Sequence, residues 1–347
     1  MLQITNRFHN IQKSNVGIFL LKIGIAFLLG YIIYRQLHGK TNLTDVWTTL
    51  KNAGSIQGIL SLVVAVLLVG ANWGLEALKW QRVLKPLERI SFSGSIKSIL
   101  CGVTVSMLTP NRTGEYVGRI LTLQQEDSFK AIPLALTCSF SQLLVNLTLG
   151  FTAFFLFCFY YSGLTFLLSM AFIGLAVSLI STALFFYFKI HALPQFLRGR
   201  FFKKVSDFVA PLKLTDHKTL LILLFWSLVR YMVYTMQYIF LLHAFGISFS
   251  WAEACILICS IYFVQTFIPS IAMAELGVRG NLALYFIGFT AGTSAAILSA
   301  TFCLWLINLL IPSLAGLVFI TQSGNFEKLF RTSQTKELAT VKVVTKN

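Results

Sequence analysis

The 347-residue chain carries 28 Lys and Arg residues against 12 Asp and Glu, which gives a formal net charge of +16. Hydrophobic residues make up 56% and charged residues 12% of the chain, whereas about a quarter of a soluble globular protein is charged. This composition excludes a soluble globule. The basic residues concentrate in loops between apolar runs, a pattern typical of topology signals and anionic-lipid contact and not of nucleic-acid binding.

Six apolar runs predict six membrane-spanning helices, because about 20 helical residues cross the hydrocarbon core. The predicted spans are residues 16–37, 56–78, 129–160, 164–189, 219–245 and 294–320, the last with a kink at Pro312. Residues 38–55 are predicted to form a loop with Trp47 as an interfacial anchor. Helix two is predicted to end in an amphipathic tail whose basic residues Lys79, Arg82 and Lys85 face water. The fold class is therefore an all-α polytopic membrane protein.

A seventh apolar segment is interrupted by charge. Residues 109–120 read TPNRTGEYVGRI, with breaks at Pro110 and Gly114. The flanking arms, residues 96–108 and 114–124, are too short to cross a bilayer as helices. We predict a re-entrant hairpin over residues 96–124. Because hydrocarbon holds no water to satisfy a broken backbone, this hairpin must be buried in protein or line a polar cavity.

The second half repeats the pattern. Residues 268–280 read IPSIAMAELGVRG, so that Pro-x5-Glu-x3-Arg echoes the earlier Pro-x4-Glu-x3-Arg, with breaks at Pro269 and Gly277. A second re-entrant hairpin is predicted over residues 253–289. The predicted units are a tail 1–15, a first membrane repeat 16–160, a second inverted repeat 164–320 and a basic tail 321–347. Inverted repeats with broken helices are a transporter architecture.

Charge asymmetry predicts the orientation. With six crossings and a cytoplasmic N-terminus, twenty Lys and Arg residues fall on the cytoplasmic side and only Arg35, Lys40 and Lys51 fall outside. This is a strong positive-inside signal. It predicts a multi-pass protein of the cell (inner) membrane with both termini in the cytoplasm. Hairpin one then enters from the cytoplasm and hairpin two from outside.

The two hairpins carry the candidate site. Glu115 and Arg119 are four residues apart on one helix face, Glu275 and Arg279 repeat the spacing, and Arg112 is predicted to lie one turn back on the first stripe. Arginine together with a helix N-terminus binds phosphate well. Asn111 or Thr113 is a candidate cap for the first helix, and Ser270 for the second. The predicted substrate-binding residues are Asn111, Arg112, Glu115, Arg119, Arg230, Glu275 and Arg279.

On these residues the chain resembles the lysylphosphatidylglycerol synthase transmembrane-region family, described as flippase-like integral membrane proteins. The similarity covers about residues 15–320. The matching residues are Glu76, Lys79, Trp80, Gln81 and Arg82, then Pro110, Arg112, Gly114, Glu115 and Arg119, then Pro269, Gly277, Val278 and Arg279. The family pattern has Gly-Val-Arg-Glu, whereas here Gly280 follows Arg279 and the acid precedes it. The resemblance implies lipid translocation, and the short chain beyond the last helix leads us to expect no lysyl transfer.

Several alternatives stay open. Each Glu–Arg pair is either part of a lipid-phosphate site or an internal salt bridge that fastens the hairpin. Arg230 is either a third phosphate contact or locally paired, and Glu76 is a weaker candidate. A translocase of anionic phospholipid is the first hypothesis, a secondary transporter of a small anion the second, and an intramembrane transferase the third. The scattered histidines and cysteines predict no metal, no cofactor is expected, and we expect no enzyme.

Overall fold

A computed structural model describes residues 43–107, 109–124, 128–163, 165–196, 203–269, 272–288 and 293–322. The predicted first span, the tail 1–15, nearly all of the tail 321–347 and the candidate cap Ser270 lie outside these residues. The described residues form helices and connecting turns, and none of them lies in a strand. The chain is an all-α, multi-pass integral membrane protein, as its composition predicts.

We number the thirteen α-helices of the described residues in chain order. They are α1 Leu43–Ala53, α2 Ile56–Leu84, α3 Phe92–Ser106, α4 Gly114–Ile120, α5 Ile132–Ser162, α6 Phe166–Phe188, α7 Leu193–Phe196, α8 Lys203–Val209, α9 His217–Ala244, α10 Trp251–Thr266, α11 Ala272–Phe286, α12 Ser294–Trp305 and α13 Ile311–Gln322. Five helical stretches are long and apolar enough to cross a membrane: α2, α5, α6, α9 and the α12–α13 pair. They correspond to the second to sixth predicted spans.

The prediction of a loop over residues 38–55 was wrong, because most of this stretch forms helix α1. Val46, Trp47 and Leu50 are exposed on this helix, and their spacing puts them on one apolar face. Asp45 in the first turn and Lys51 in the last complement the helix dipole. Trp47 is 70% exposed on this helix, and its role as an interfacial anchor stays a prediction.

The last span is irregular next to Pro312. Between α12 and α13 the residues Leu306–Leu310 form a π-helix. A proline ring crowds the carbonyl four residues earlier, here that of Asn308, and a wider turn relieves the crowding. The predicted distortion at Pro312 is thus a π-segment that places the buried amide of Asn308 in the protein interior.

Two helical hairpins are present where the sequence predicts them. Pro110 lies between α3 and α4, and Pro269 lies between α10 and α11. The break expected at Gly277 was wrong, because this glycine lies inside α11. Gly114 is the first residue of α4, so the first hairpin does break there.

Close packing between helices brings the two hairpins together. α3 packs against α13, α10 packs against α5, and α2 packs along α9. A Cβ atom at Gly316 would lie 2.0 Å from the Leu100 carbonyl oxygen, and one at Gly150 would lie 2.8 Å from Cβ of Phe263. Small residues of this kind let membrane helices approach closely. Each hairpin therefore rests on a long helix from the other half of the chain.

Candidate functional site

A cavity of about 560 Å³ lies between the two hairpins and the helices α2, α5 and α9. Its walls are rich in charged and amide side chains. The predicted site residues that line it are Asn111, Arg112, Glu115, Arg230, Glu275 and Arg279. Arg119 lies behind this wall, buried and ion-paired to Glu115. The tertiary fold thus assembles all seven predicted residues in one region, although they come from three separate stretches of the chain.

The first cluster consists of Glu76, Lys79, Glu115, Arg119 and Arg230. Glu76 is its centre: one carboxylate oxygen lies 2.7 Å from Nη2 of Arg119, and the other lies 3.0 Å from Nζ of Lys79 and 3.2 Å from Nη1 of Arg230. Arg119 also pairs with Glu115 one turn away, as the sequence predicts. Its guanidinium lies over the Trp80 ring, 5.7 Å from the centroid.

One expectation about α2 was wrong. Lys79 was predicted to face water, but its side chain is fully buried, because the tail of helix two continues into the core as part of α2. Glu76, a weaker candidate for the site, contacts three cations and joins α2 to α4 and α9. The i,i+3 spacing of Glu76 and Lys79 inside an apolar helix was the sequence signal that could have predicted their ion pair.

The second cluster consists of Arg112, Tyr234, Gln265, Glu275 and Arg279. Arg279 Nη2 lies 2.8 Å from Oε1 of Glu275, confirming the predicted i,i+4 pair. Arg279 also donates to Oε1 of Gln265 at 3.1 Å and to the Tyr234 hydroxyl at 2.6 Å. Gln265 in turn donates to Oε1 of Glu275 at 3.0 Å. This network joins α9, α10 and α11.

Arg112 does not share a stripe with Glu115 and Arg119 as predicted. It lies in the turn before α4 and reaches the other hairpin, where Nε and Nη2 donate to Oε2 of Glu275 at 3.0 and 2.5 Å. Asn111 and Arg112 have φ angles of 51° and 56°, a left-handed conformation that costs a non-glycine residue about 1–3 kcal/mol. The prediction assumed that the helical spacing of α4 extends back to Arg112. It does not, because the left-handed residues 111 and 112 interrupt the helix before α4 begins.

The cap of α4 also differs from the prediction. Thr113 occupies the cap position without a side-chain cap bond, and the Gly114 N–H donates instead to Oγ1 of Thr109 at 2.8 Å. A Cβ atom at Gly114 would lie 2.7 Å from that oxygen. A glycine at this position therefore lets Thr109 approach the helix end.

Three uncharged partners were missed by sequence reasoning. Gln142 on α5 accepts from Lys79 and Arg230 at 3.4 Å each, and Gln265 and Tyr234 complete the second cluster. Two of them, Gln142 and Gln265, are single amides within apolar runs. Because buried polar groups require partners, a lone amide in such a run is a signal of a buried contact, but a weak one. The partners lie in other helices, so the sequence does not show them.

Formal charges are unequal in both clusters. The first holds three cations and two carboxylates, and the second holds two cations and one carboxylate. Each cluster thus has one positive charge in excess. Arginine is protonated at any physiological pH. The arrangement is suited to hold anionic groups.

Nothing in the described part of the chain resembles a metal centre: no three His, Cys, Asp or Glu side chains there could hold an ion together. Cys101, Cys138 and Cys259 are buried, as expected for packing residues. Cys255 is exposed, which differs from the expected role.

Comparison with known proteins identifies the family. The family model described as "Lysylphosphatidylglycerol synthase TM region" matches residues 19–316, which include both hairpins and both clusters. No curated protein and no solved structure matches the chain. A match over most of the length agrees with the resemblance read from the motifs. The chain therefore belongs to the lysylphosphatidylglycerol synthase transmembrane-region family.

Proposed function

We propose that this protein is a lipid translocase that moves an anionic phospholipid or a lipid-linked phosphate between leaflets. One observation carries the proposal: three arginines and two carboxylates line one cavity of about 560 Å³, and the two broken-helix hairpins contribute four of these five side chains. Ionisable residues inside a membrane protein are expensive and mark substrate pathways. A phosphate would supply the negative charge that both clusters lack.

Arg112 is the proposed entry contact for the phosphate. Its side chain is 38% exposed, whereas its partner Glu275 is 7% exposed. Glu275 orients Arg112 in the absence of lipid, and a phosphate oxygen takes over one of its two N–H bonds when lipid binds. Arginine forms bidentate pairs with carboxylate and phosphate alike, so the exchange costs few hydrogen bonds.

The packing supports an inverted repeat, which would give alternating access. Hairpin one rests on α13 of the second half, and hairpin two rests on α5 of the first half. α2 and α9, one from each half, pack against each other. Such reciprocal contacts are expected when two repeats are related by a pseudo-two-fold axis.

The proposed orientation places both termini and residues 190–218 in the cytoplasm. In a cysteine-free background, a cysteine at Ser206 should resist membrane-impermeant thiol reagents in intact cells, and one at Thr44 should react. Permeabilised cells provide the control, since both positions should then react. Labelling of Ser206 from outside would contradict the six-crossing orientation.

The activity is tested in proteoliposomes that hold a head-group-labelled anionic phospholipid. An impermeant quencher reports the lipid in the outer leaflet, and we expect faster exchange than in protein-free vesicles. Mass spectrometry of the recovered lipid should show an unchanged molecule, because we propose translocation without chemical transfer. Arg89→Gln, which changes an exposed arginine, is the matched control for arginine variants.

A secondary transporter of small anions is the competing proposal, because a soluble phosphate would satisfy the same guanidinium groups. Uptake of labelled inorganic phosphate into the same vesicles separates the two. Phosphate uptake without lipid exchange would replace the translocase proposal. Labelled product formed from lipid and a donor would support a transferase instead.

A further inference from the structure

We propose that Lys79 takes up a proton when an anionic phosphate group binds in the cavity, so that the anion and the proton bind together. This inference rests on the proposed function and deepens it, because it assigns a proton as the coupling ion of the same site. Three features of the first cluster carry it: its excess of cations, its buried donors without acceptors and its single lysine.

The first cluster buries more cations than carboxylates. Three cations share two carboxylates, and Glu76, Lys79 and Arg119 have side chains that are 4%, 0% and 1% exposed. In the described part of the chain, Nε and Nη1 of Arg119 and Nε of Arg230 are buried without a hydrogen-bond partner. A buried charge that lacks a counter-charge is strongly unfavourable. With every cation protonated, the cluster is therefore short of a negative charge.

Lys79 is the member of the cluster that can relieve this excess. Arginine stays protonated at any physiological pH, and a proton added to Glu76 or Glu115 would only increase the positive charge. A buried lysine, in contrast, exchanges its proton readily. Without the proton on Lys79, Glu76 keeps Arg119 at 2.7 Å and Arg230 at 3.2 Å. The cluster then holds two guanidinium groups and two carboxylates, and its charges balance.

The elements packed around Lys79 leave the cluster to balance its own charge. Among the described residues, the one carboxylate in salt-bridge contact with Lys79 is that of Glu76. Arg82, one turn further along α2, donates to a threonine of α9, and Lys97 of α3 lies over a phenylalanine ring of α13. α5 faces Lys79 with the Gln142 amide and the Cys138 thiol. The π-helix contacts α2 through a pair of neutral amides, and α1 adjoins the opposite end of α2.

An anion in the cavity acts on Lys79 through Arg230 and Gln142. Both side chains line the cavity, and Nζ of Lys79 and Nη1 of Arg230 each lie 3.4 Å from Oε1 of Gln142. A phosphate held by Arg230 competes with Glu76 for that guanidinium and brings a negative charge close to Lys79. Attraction over a few ångströms is strong where water is scarce. The ammonium form of Lys79 is therefore favoured once the anion is bound, and the added anion and proton together leave the charge balanced.

This coupling determines the sign of the pH dependence. The unoccupied protein favours neutral Lys79 and the occupied protein favours charged Lys79, so binding takes up a proton. The affinity for the anion should therefore fall as pH rises, by up to about tenfold per pH unit across the range in which the two states differ in protonation. By reciprocity, a lower pH should strengthen anion binding by the same factor.

The test is titration calorimetry of the full-length protein in a non-ionic detergent with a short-chain phosphatidylglycerol, whose phosphodiester keeps its charge throughout the range. Titrations in two buffers of different ionisation enthalpy count the protons taken up per lipid, and we expect a number approaching about one between roughly pH 6 and pH 9. Lipid binding without proton uptake would overturn the inference and leave lipid translocation standing. Absence of lipid binding would overturn the inference together with the proposed function.

Two variants assign the proton to Lys79. Lys79→Arg keeps a charge that cannot be released, so it should bind the lipid without proton uptake and with no change in affinity over the same pH range. Lys79→Met removes the charge and should bind more weakly, again without proton uptake. The control Lys85→Met changes an exposed lysine near the end of α2 and should keep the wild-type proton count. Melting temperatures identify the folded variants, and wild-type proton uptake by either folded Lys79 variant would refute the assignment.

A titration with glycerophosphoglycerol separates a lipid from a small anion, because this molecule carries the same phosphodiester without acyl chains. We expect it to bind more weakly than the lipid while taking up the same number of protons per bound molecule. Equal affinity with the same proton uptake would support the coupling and favour the transporter of small anions. Binding without proton uptake would count against the coupling for either source of the phosphate.

Discussion

Each of the two ion clusters contains one Glu-x3-Arg pair and one further arginine, yet their surroundings differ. In the first cluster Glu76, Lys79 and Arg119 have side chains that are 4%, 0% and 1% exposed. In the second cluster Arg112 is 38% exposed and lies at the cavity. The three central side chains of the first cluster are therefore sealed, whereas the second cluster has an open member, Arg112, which the turn of the first hairpin contributes.

The difference shows that burial decides whether a charged pair mainly stabilises the fold or can exchange its partner. A sealed cluster gains strong electrostatic attraction, but its charges have lost their water, so loss of one member leaves the others unpaired. An open cluster keeps a partly hydrated member that can exchange one anionic partner for another. We infer that the first cluster mainly holds α2, α4 and α9 together and that the second exchanges contacts with substrate.

Glu76→Gln should have the largest effect on folding. It leaves Lys79 and Arg230 without their carboxylate, and breaking a buried ion pair costs about 3–5 kcal/mol. We expect a strongly lowered melting temperature in detergent. The control is Glu253→Gln, which loses only a 3.4 Å contact with Tyr161. A melting temperature equal to that of the control would show that the first cluster does not fasten the helices.

The double variant Glu275→Gln/Arg279→Gln should lose transport while it stays folded. Removing both members of a buried pair is often nearly neutral for stability, and the remaining Arg112 is partly hydrated. Transport should fall about tenfold or more, because one charge-assisted contact with the substrate, of roughly 1.5–3 kcal/mol, is lost. Lipid exchange and melting temperature are measured on the same preparation. Wild-type exchange in a folded double variant would make the second cluster structural.

Arg112→Gln should slow exchange without unfolding the protein. A half-exposed ion pair contributes about 0–1 kcal/mol to stability, so the melting temperature should stay near that of the control Arg89→Gln. The exchange rate should fall several-fold, with rescue by Arg112→Lys only partial because lysine lacks the guanidinium fork. A large loss of stability with unchanged exchange would show that the contact between the hairpins stabilises the fold and does not act in transport.

Glu115→Gln should have the smallest effect of the four. Arg119 keeps Glu76 at 2.7 Å as its partner, and Glu115 is the least buried acid of the first cluster, with 21% of its side chain exposed. We expect a loss of about 1 kcal/mol or less in thermal melting. A loss as large as that of Glu76→Gln would mean that the i,i+4 pair, and not the contact between helices, dominates the cluster.

Local sequence patterns were sufficient for the helices and the hairpins. Hydropathy over about 20 residues identifies a span because the bilayer has a fixed thickness. Five of the predicted spans and both proline breaks are therefore present in the described chain. The pairs Glu115–Arg119 and Glu275–Arg279 were also predictable, since both depend only on the helical period.

Only the tertiary structure decides which charges are shared between helices. Arg112 reaches Glu275 across 163 positions and Arg119 reaches Glu76 across 43, and no local period encodes either contact. The burial of Lys79 likewise depends on α2 being covered by its neighbours, whereas the sequence shows only a basic helix end. Hydropathy is a property of each segment, but the partner and the hydration of a charge are properties of the packed bundle, so the sealed and open clusters become distinct only when the helices meet.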